Sequence, residues 1–124
     1  MRNRKIAIVA ALALLAMATA AAADVTGTWS ASFDTQVGVQ NYTYTFKVDG
    51  GKLTGTAKSS LSETASALTS GMVNGDDISF VENLDYQGMP FQIAYKGKIS
   101  GDEIKFTRTV TEGITEDLVA KRVK

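Results

Sequence analysis

The chain has 124 residues, with 13 basic and 13 acidic side chains and neither cysteine nor histidine. Without cysteine it forms no disulfide and carries no lipid on a thiol. The absence of both residue types excludes Ser-His-Asp and Cys-His catalysis and the usual ligands of zinc, copper, iron and haem. We therefore expect one small domain with no metal site and no cofactor.

The first 23 residues have the order of a secretory signal peptide. Three basic residues within the first five are followed by an apolar stretch over residues 6–17 and by Ala21-Ala22-Ala23, which matches an A-x-A cleavage site. A membrane anchor is the weaker alternative, because the strongly apolar stretch is shorter than the roughly 20 residues that span a bilayer. We predict cleavage near Ala23 and a mature domain over residues 24–124 that is periplasmic or secreted and has no stable membrane anchor.

Loss of this leader changes the charge of the chain. It removes three of the 13 basic residues and leaves 10 against 13 acidic ones, a net charge of about −3. The sequence also contains no basic stripe interleaved with aromatic residues, the pattern typical of nucleic-acid binding. We therefore expect no nucleic-acid partner.

One motif recurs three times in the mature region, at Val48–Leu53, Val73–Ile78 and Ile99–Ile104. Each copy has a β-branched residue, a polar residue followed by glycine, and a short polar link to Leu or Ile. Glycine adopts a positive φ at no steric cost, as tight β-hairpins require. The motif therefore predicts three hairpin turns.

Apolar and polar residues alternate around these turns, which predicts eight strands. Their predicted bounds are Gly27–Phe33, Gln40–Val48, Lys52–Ser60, Ala67–Val73, Asp77–Leu84, Pro90–Ile99, Glu103–Thr111 and Glu116–Val123. The Ser- and Thr-rich segment Leu61–Ser70 is compatible with a loop. An open meander leaves two unpaired edges, so we predict an all-β fold in which eight antiparallel strands close into an up-and-down barrel. A two-sheet sandwich is the alternative.

Alternation along the strands assigns a mostly apolar inner face that contains three charged residues, Glu82, Arg108 and Arg122. A charge inside a barrel is costly unless it is paired or hydrated. Two explanations follow for Glu82 and Arg108. They form a structural ion pair or lie near a rim where their charged groups reach solvent, or they provide the polar end of a ligand cavity. The walls of such a cavity would be aromatic: Tyr42, Tyr44, Phe91 and Tyr95.

The segment Thr26-Gly27-Thr28-Trp29 resembles the G-x-W signature of the calycin superfamily, which includes lipocalins, fatty-acid-binding proteins and avidins. In lipocalins, an arginine from the last strand lies across this tryptophan and closes one end of the barrel. The resemblance implies that Arg122 stacks over Trp29, a contact that contributes about 0.5–2 kcal/mol.

Two groups within that superfamily share further motifs with the chain. Gly27-Thr28-Trp29 together with residues 49–56 looks like the first strands of avidins, but Ser30–Phe33 lacks their polar biotin-contacting pattern and the chain has one tryptophan. The small secreted lipocalin-like proteins of bacteria are similar over nearly the whole mature chain. Matching segments are Lys52–Thr56, Gly75–Phe80, Tyr95–Lys105 and Ala120–Arg122. These motifs imply a fold rather than an activity.

Three functions remain open at this point. The favoured hypothesis is an exported barrel that binds a small apolar or aromatic molecule. The second is a cyclase or isomerase in which Glu82 acts as base and Arg108 stabilises developing negative charge. The third is a secreted protein-binding or inhibitor module that acts through Gln36–Asn41 and Asp85–Met89.

Overall fold

The computed structural model describes residues 22–111 and 113–124, which form eight antiparallel strands in a single closed barrel. Each strand pairs with its neighbours in sequence order, and β8 returns to β1. The predicted up-and-down barrel is therefore confirmed. Residues 1–21 of the predicted signal peptide lie outside the described residues. In the described ranges, no helix has the length and apolar character needed to cross a membrane.

The strands differ from the predicted ones mainly at their ends. Their bounds are β1 Gly27–Thr35, β2 Gly38–Asp49, β3 Lys52–Ser59, β4 Ser66–Asn74, β5 Asp77–Tyr86, β6 Met89–Ser100, β7 Glu103–Thr111 and β8 Ile114–Arg122. Most strands continue further than the alternating pattern does, because backbone pairing extends up to the tight turns. At the end of β1, for example, Thr35 still pairs with Gly38 across the turn. The Thr35 hydroxyl supports this turn by donating to the Gly38 carbonyl at 2.7 Å and accepting from the Val37 amide at 3.2 Å.

The three predicted hairpin turns are confirmed. Gly50, Gly75 and Gly101 have φ angles of 59°, 60° and 61°, in the left-handed region that favours glycine. These turns, between β2 and β3, β4 and β5, and β6 and β7, lie at one end of the barrel. The remaining connections lie at the opposite end, which we call the mouth.

β4 is irregular in its pairing with both neighbours, and it begins inside Leu61–Ser70, the segment that the sequence left open as a loop. Its pairing with β5 shifts between Thr69 and Met72, where Ser70 adopts a φ of 54°. Gly71 beside it approaches β3 so closely that an added Cβ would lie 2.2 Å from the Leu53 carbonyl oxygen. This strand therefore contains a bulge, which bends it and places Leu68 and Val73 on the inner face.

Aromatic rings fill the middle of the barrel. Tyr42, Tyr44 and Phe46 stack along β2 with centroids 5.3 and 5.8 Å apart. On the adjacent strands β5 and β6, Phe80 stacks on Tyr95 at 4.4 Å, and Tyr44 contacts these two rings from β2 at 6.3 and 5.7 Å. Because these rings are buried and in mutual contact, the interior at this level is a packed core and not a cavity.

The end opposite the mouth is closed by Trp29 and Arg122. The Arg122 guanidinium lies 4.5 Å from the centroid of the buried Trp29 ring. It also donates to the carbonyls of Asp24 and Thr26 at 3.2 and 3.3 Å, while the Trp29 indole donates to the Val25 carbonyl at 2.9 Å. The segment that leads into β1 is thus held across this end of the barrel.

We expect Arg122→Ala to lower the free energy of unfolding by about 1–3 kcal/mol, because it removes the stacking contact and two hydrogen bonds to carbonyls. Urea denaturation followed by circular dichroism measures this change. Lys121→Ala is the matched control, since its exposed side chain should matter by less than about 0.5 kcal/mol. Equal effects of the two substitutions would contradict the closing role of Arg122.

Candidate functional site

Glu82 and Arg108 meet inside the barrel, between the aromatic core and the mouth. Glu82 projects from β5 and Arg108 from β7, and their exposed fractions are 0% and 2%. Arg108 Nη1 lies 3.6 Å from Glu82 Oε1, which is an ion pair but is longer than a hydrogen bond. The structure therefore brings together two of the three charged residues that the sequence placed on the inner face; the third, Arg122, lies over Trp29 at the closed end.

Three tyrosine hydroxyls extend this pair into a hydrogen-bond network. Tyr42 donates to Glu82 Oε2 at 2.9 Å, and Tyr95 donates to Glu82 Oε1 at 2.8 Å. Arg108 Nη1 donates to the Tyr95 oxygen at 2.6 Å. Since Tyr95 gives its one hydrogen to Glu82, Tyr44 must be the donor in the 3.0 Å contact between the two phenols. Both oxygens of Glu82 are therefore occupied.

A second acid, Glu116, completes the site. Its Oε1 accepts from Arg108 Nε at 2.7 Å, and its side chain is 9% exposed. Glu116 is not among the inner-face charges predicted from the sequence, although the alternation that places Leu118, Ala120 and Arg122 inside also places Glu116 there. Arg108 therefore lies between two carboxylates, with the shorter contact to Glu116.

Aromatic rings surround the Arg108 guanidinium. Its central carbon lies 5.0 Å from the centroids of Phe33 and Tyr42 and 5.5 Å from that of Tyr95. The negative faces of such rings attract a cation, most strongly where water is excluded. The charge of Arg108 is thus compensated by ring faces as well as by carboxylates.

The surroundings shift the pKa values of these groups. Burial raises the pKa of Glu82, even though hydrogen bonds from Tyr95 and the nearby charge of Arg108 oppose this shift. Burial raises the pKa of Tyr42 to about 12, and the neighbouring Glu82 carboxylate adds to the effect. Burial alone would lower the pKa of Arg108, but Tyr95, Tyr42 and Glu82 outweigh it and the pKa is raised. Arg108 therefore stays charged.

A small cup of about 200 Å³ opens at the mouth above this network. Its apolar walls include Leu84, Phe91, Ile93 and Val110. Its polar lining includes Gln40, Arg108 and Glu116. Four exposed apolar side chains lie around the mouth: Val37, Val39, Leu61 and Met89.

The six predicted cavity residues are therefore divided between two levels. Phe91 and Arg108 line the cup. Tyr42, Tyr44, Glu82 and Tyr95 lie in the packed interior, where each has 0–1% of its surface exposed. Across residues 22–111 and 113–124, no cluster of three or more acidic side chains is arranged to hold a metal ion.

We expect the three tyrosines to differ in how much their hydroxyls stabilise the fold. Tyr95→Phe removes three hydrogen bonds and should lower the free energy of unfolding by about 3 kcal/mol or more. Tyr42→Phe removes one hydrogen bond to a carboxylate and should lower it by about 1.5–3 kcal/mol. Tyr44→Phe removes one bond between phenols and should lower it by about 1 kcal/mol. All three substitutions keep the ring, so packing is matched. Urea denaturation checks the order, and equal costs would contradict the central position of Tyr95.

Stability should also depend on pH through Glu82. Its pKa is raised in the folded state, so its contribution is fully present below the unfolded value of about 4.3 and is lost as the pH rises through the folded value. The free energy of unfolding of the wild type, minus that of Glu82→Gln, should therefore fall as the pH rises above about 4.3, over the range in which the Glu82 carboxyl group ionises. Denaturation of both proteins across this range measures the difference, and a flat or rising profile would contradict the raised pKa.

Comparison with models of known protein families gives no match to the chain. Comparison with curated proteins also gives no match. The architecture, a closed antiparallel barrel of eight strands in sequence order, is consistent with a calycin-like barrel.

Proposed function

We propose that this chain is an exported binding protein that holds one end of a small, mainly apolar or aromatic molecule in the cup at its mouth. The observation that carries this proposal is the cup itself, where apolar walls surround a few polar groups. Binding sites for small molecules generally combine an apolar lining with a few fixed polar groups. The buried Arg108 and Glu116 would contact the polar part of the ligand.

The size of the cup limits what enters it. Its volume of about 200 Å³ is below the roughly 300–1,000 Å³ of pockets that enclose drug-sized ligands. Below the cup, stacked rings such as Phe80 and Tyr95 fill the barrel. The ligand would therefore insert one ring or one short branched chain, and its remainder would lie against exposed apolar side chains such as Val37 and Leu61.

In this proposal the two levels of the site have different roles. Phe91 and Arg108 contact the ligand, as part of the cup lining. Tyr42 and Tyr95 position Arg108 and Glu82 through hydrogen bonds. Such a network costs little reorganisation on binding, because its groups are already held in place.

The geometry does not favour the cyclase or isomerase alternative. A general base must come within hydrogen-bonding distance of the proton that it removes. Glu82 is fully buried, and its two oxygens accept from Tyr42 and Tyr95. We therefore propose binding rather than catalysis.

Export is the second part of the proposal and is supported by the leader. The basic start, the apolar stretch over residues 6–17 and Ala21-Ala22-Ala23 follow the order of a signal peptide. The test expresses the protein with its full leader and purifies it from the exported fraction. Native mass spectrometry then measures the mass of the chain, which shows whether the leader was removed, and detects any ligand that stays bound. A chain that begins at Asp24 is the expected result. Absence of the protein from the exported fraction would contradict export, and an exported chain that keeps its leader would contradict cleavage near Ala23.

The ligand itself is tested with three compounds of one shape: phenylacetate, phenethylamine and phenylethanol. We expect at least one of them to raise the melting temperature, because a ligand that binds only the folded state stabilises it. Val110→Trp, which fills the cup, should abolish this rise. Comparing the three compounds identifies the charge of the polar end.

Thr109→Trp is the matched control, because Thr109 is exposed beside Val110 on β7. It adds the same ring outside the barrel and should leave the response unchanged. Two results would show that the cup is not the binding site. One is that neither the three compounds nor a wider apolar and aromatic library shifts the melting temperature. The other is that both tryptophan variants respond like the wild type.

A further inference from the structure

The guanidinium of Arg108 has more hydrogen-bond donors than its partners use. It carries five N–H groups in a planar fork. Nε donates to Glu116 Oε1 at 2.7 Å, and Nη1 donates to the Tyr95 hydroxyl at 2.6 Å. Nη2 makes no hydrogen bond to the described residues. The ring of Tyr42 lies 5.0 Å from the guanidinium carbon, and its oxygen can accept at most one of the two Nη2 hydrogens. At least one donor of this buried cation is therefore free.

Glu116 holds a free acceptor beside this donor. Arg108 and Glu116 are direct partners in the pairing of β7 with β8. Oε1 of Glu116 is occupied by Arg108, whereas Oε2 makes no hydrogen bond within the described part of the chain. Nε and Nη2 share one edge of the planar guanidinium, so the contact at Nε holds Nη2 next to the Glu116 carboxylate. A donor and an acceptor thus lie side by side.

Both of these atoms are accessible from the cup. Over residues 22–111 and 113–124, no buried side-chain nitrogen or oxygen lacks a hydrogen-bond partner, so an atom without a partner has some exposed surface. The side chains of Arg108 and Glu116 are 3% and 9% exposed, and both line the cup. The cup therefore presents an N–H group of a cation next to an oxygen of an anion.

We propose that the cup selects a neutral ligand that ends in a primary amide or a lactam, a class of ligand that rests on the binding function proposed above. The ligand carbonyl would accept from Arg108 Nη2, and its N–H would donate to Glu116 Oε2. Both are hydrogen bonds to charged groups, which are the stronger kind. The apolar remainder would pack against the walls formed by Leu84, Phe91 and Val110.

The two charges at the base of the cup disfavour a charged ligand. A carboxylate would accept from Arg108 but would bring a second negative charge against Glu116. An amine would donate to Glu116 but would bring a second positive charge against Arg108. Like charges in contact are costly, most of all where little water screens them. A neutral group avoids both repulsions and uses both atoms.

The position of the two atoms also distinguishes amides from one another. In a primary amide, one N–H lies on the same edge as the carbonyl oxygen, and the ring of a lactam enforces the same arrangement. An open-chain secondary amide is trans, which places its N–H on the opposite side from the oxygen. It therefore reaches only one of Arg108 Nη2 and Glu116 Oε2 at a time.

The test compares four compounds that share a phenyl ring: phenylacetamide, N-methylphenylacetamide, phenylacetate and phenethylamine. NMR titration at neutral pH, with protein purified from the exported fraction, gives their dissociation constants. Phenylacetamide should bind at least about tenfold more tightly than each of the others, because each of them loses one hydrogen bond to a charged group.

The variant Glu116→Gln should reverse the preference. Its side-chain oxygen still accepts from Arg108 Nε, while an NH₂ group replaces the free acceptor, so the cup then offers donors on both sides. Phenylacetate should bind this variant at least about threefold more tightly than phenylacetamide does. Asp117→Asn is the matched control, because it removes the same charge at the exposed neighbouring position of β8 and should leave the order of the compounds unchanged. Circular dichroism checks that both variants fold.

The outcomes separate this inference from the function on which it rests. If N-methylphenylacetamide, phenylacetate or phenethylamine binds the wild type as tightly as phenylacetamide, and Val110→Trp abolishes that binding, the cup is the site but the preference for amides is wrong. If none of the four compounds binds, the preference is also wrong, and the wider library decides the proposed function separately. An unchanged order of compounds in folded Glu116→Gln would contradict the role of Glu116. If that variant does not fold, the comparison of phenylacetamide with its N-methyl derivative decides.

Discussion

The barrel is organised around one buried positive charge, the guanidinium of Arg108. Moving such a charge out of water costs several kcal/mol, and the fold tolerates it only when partners surround the group. Glu82, Glu116 and Tyr95 provide these partners from β5, β8 and β6, and aromatic faces cover the rest. In the described part of the chain, every buried side-chain nitrogen and oxygen has a hydrogen-bond partner. A network that is satisfied in one strand register penalises other registers, because a shift by one residue would leave charges unpaired.

The same network limits the site that can exist above it. Glu82 and Tyr95 use their polar atoms on one another, so little of the interior is free to contact a ligand. What remains accessible is the side of Arg108 and Glu116 that faces the mouth, together with apolar walls such as Phe91. In the proposed function, recognition would therefore take place at the rim, where the packed interior holds the polar groups in fixed positions.

The parts of this arrangement that could be predicted from sequence depend on local patterns. Glycine turns such as Gly75 and the alternation that places Glu82 and Arg108 inside are read within a few residues, and both agree with the structure. The bulge at Ser70 could not be predicted, since it follows from the contact of Gly71 with a neighbouring strand. The filled interior could not be predicted either, because alternation gives the direction of a side chain but not how far it extends across the barrel.

The seam between β1 and β8 joins two strands that are far apart in the sequence, so no local pattern determines its register. Side chains contribute to its closure: Arg122 of β8 stacks on Trp29 of β1 at one end, and towards the mouth Arg108 binds Glu116 of β8 and lies over the ring of Phe33 of β1. These inward contacts add to the pairing of β8 with β7 and to its short ladder with β1. The buried charge that fixes the interior thus also connects the first strand with the last, where few backbone pairs do so.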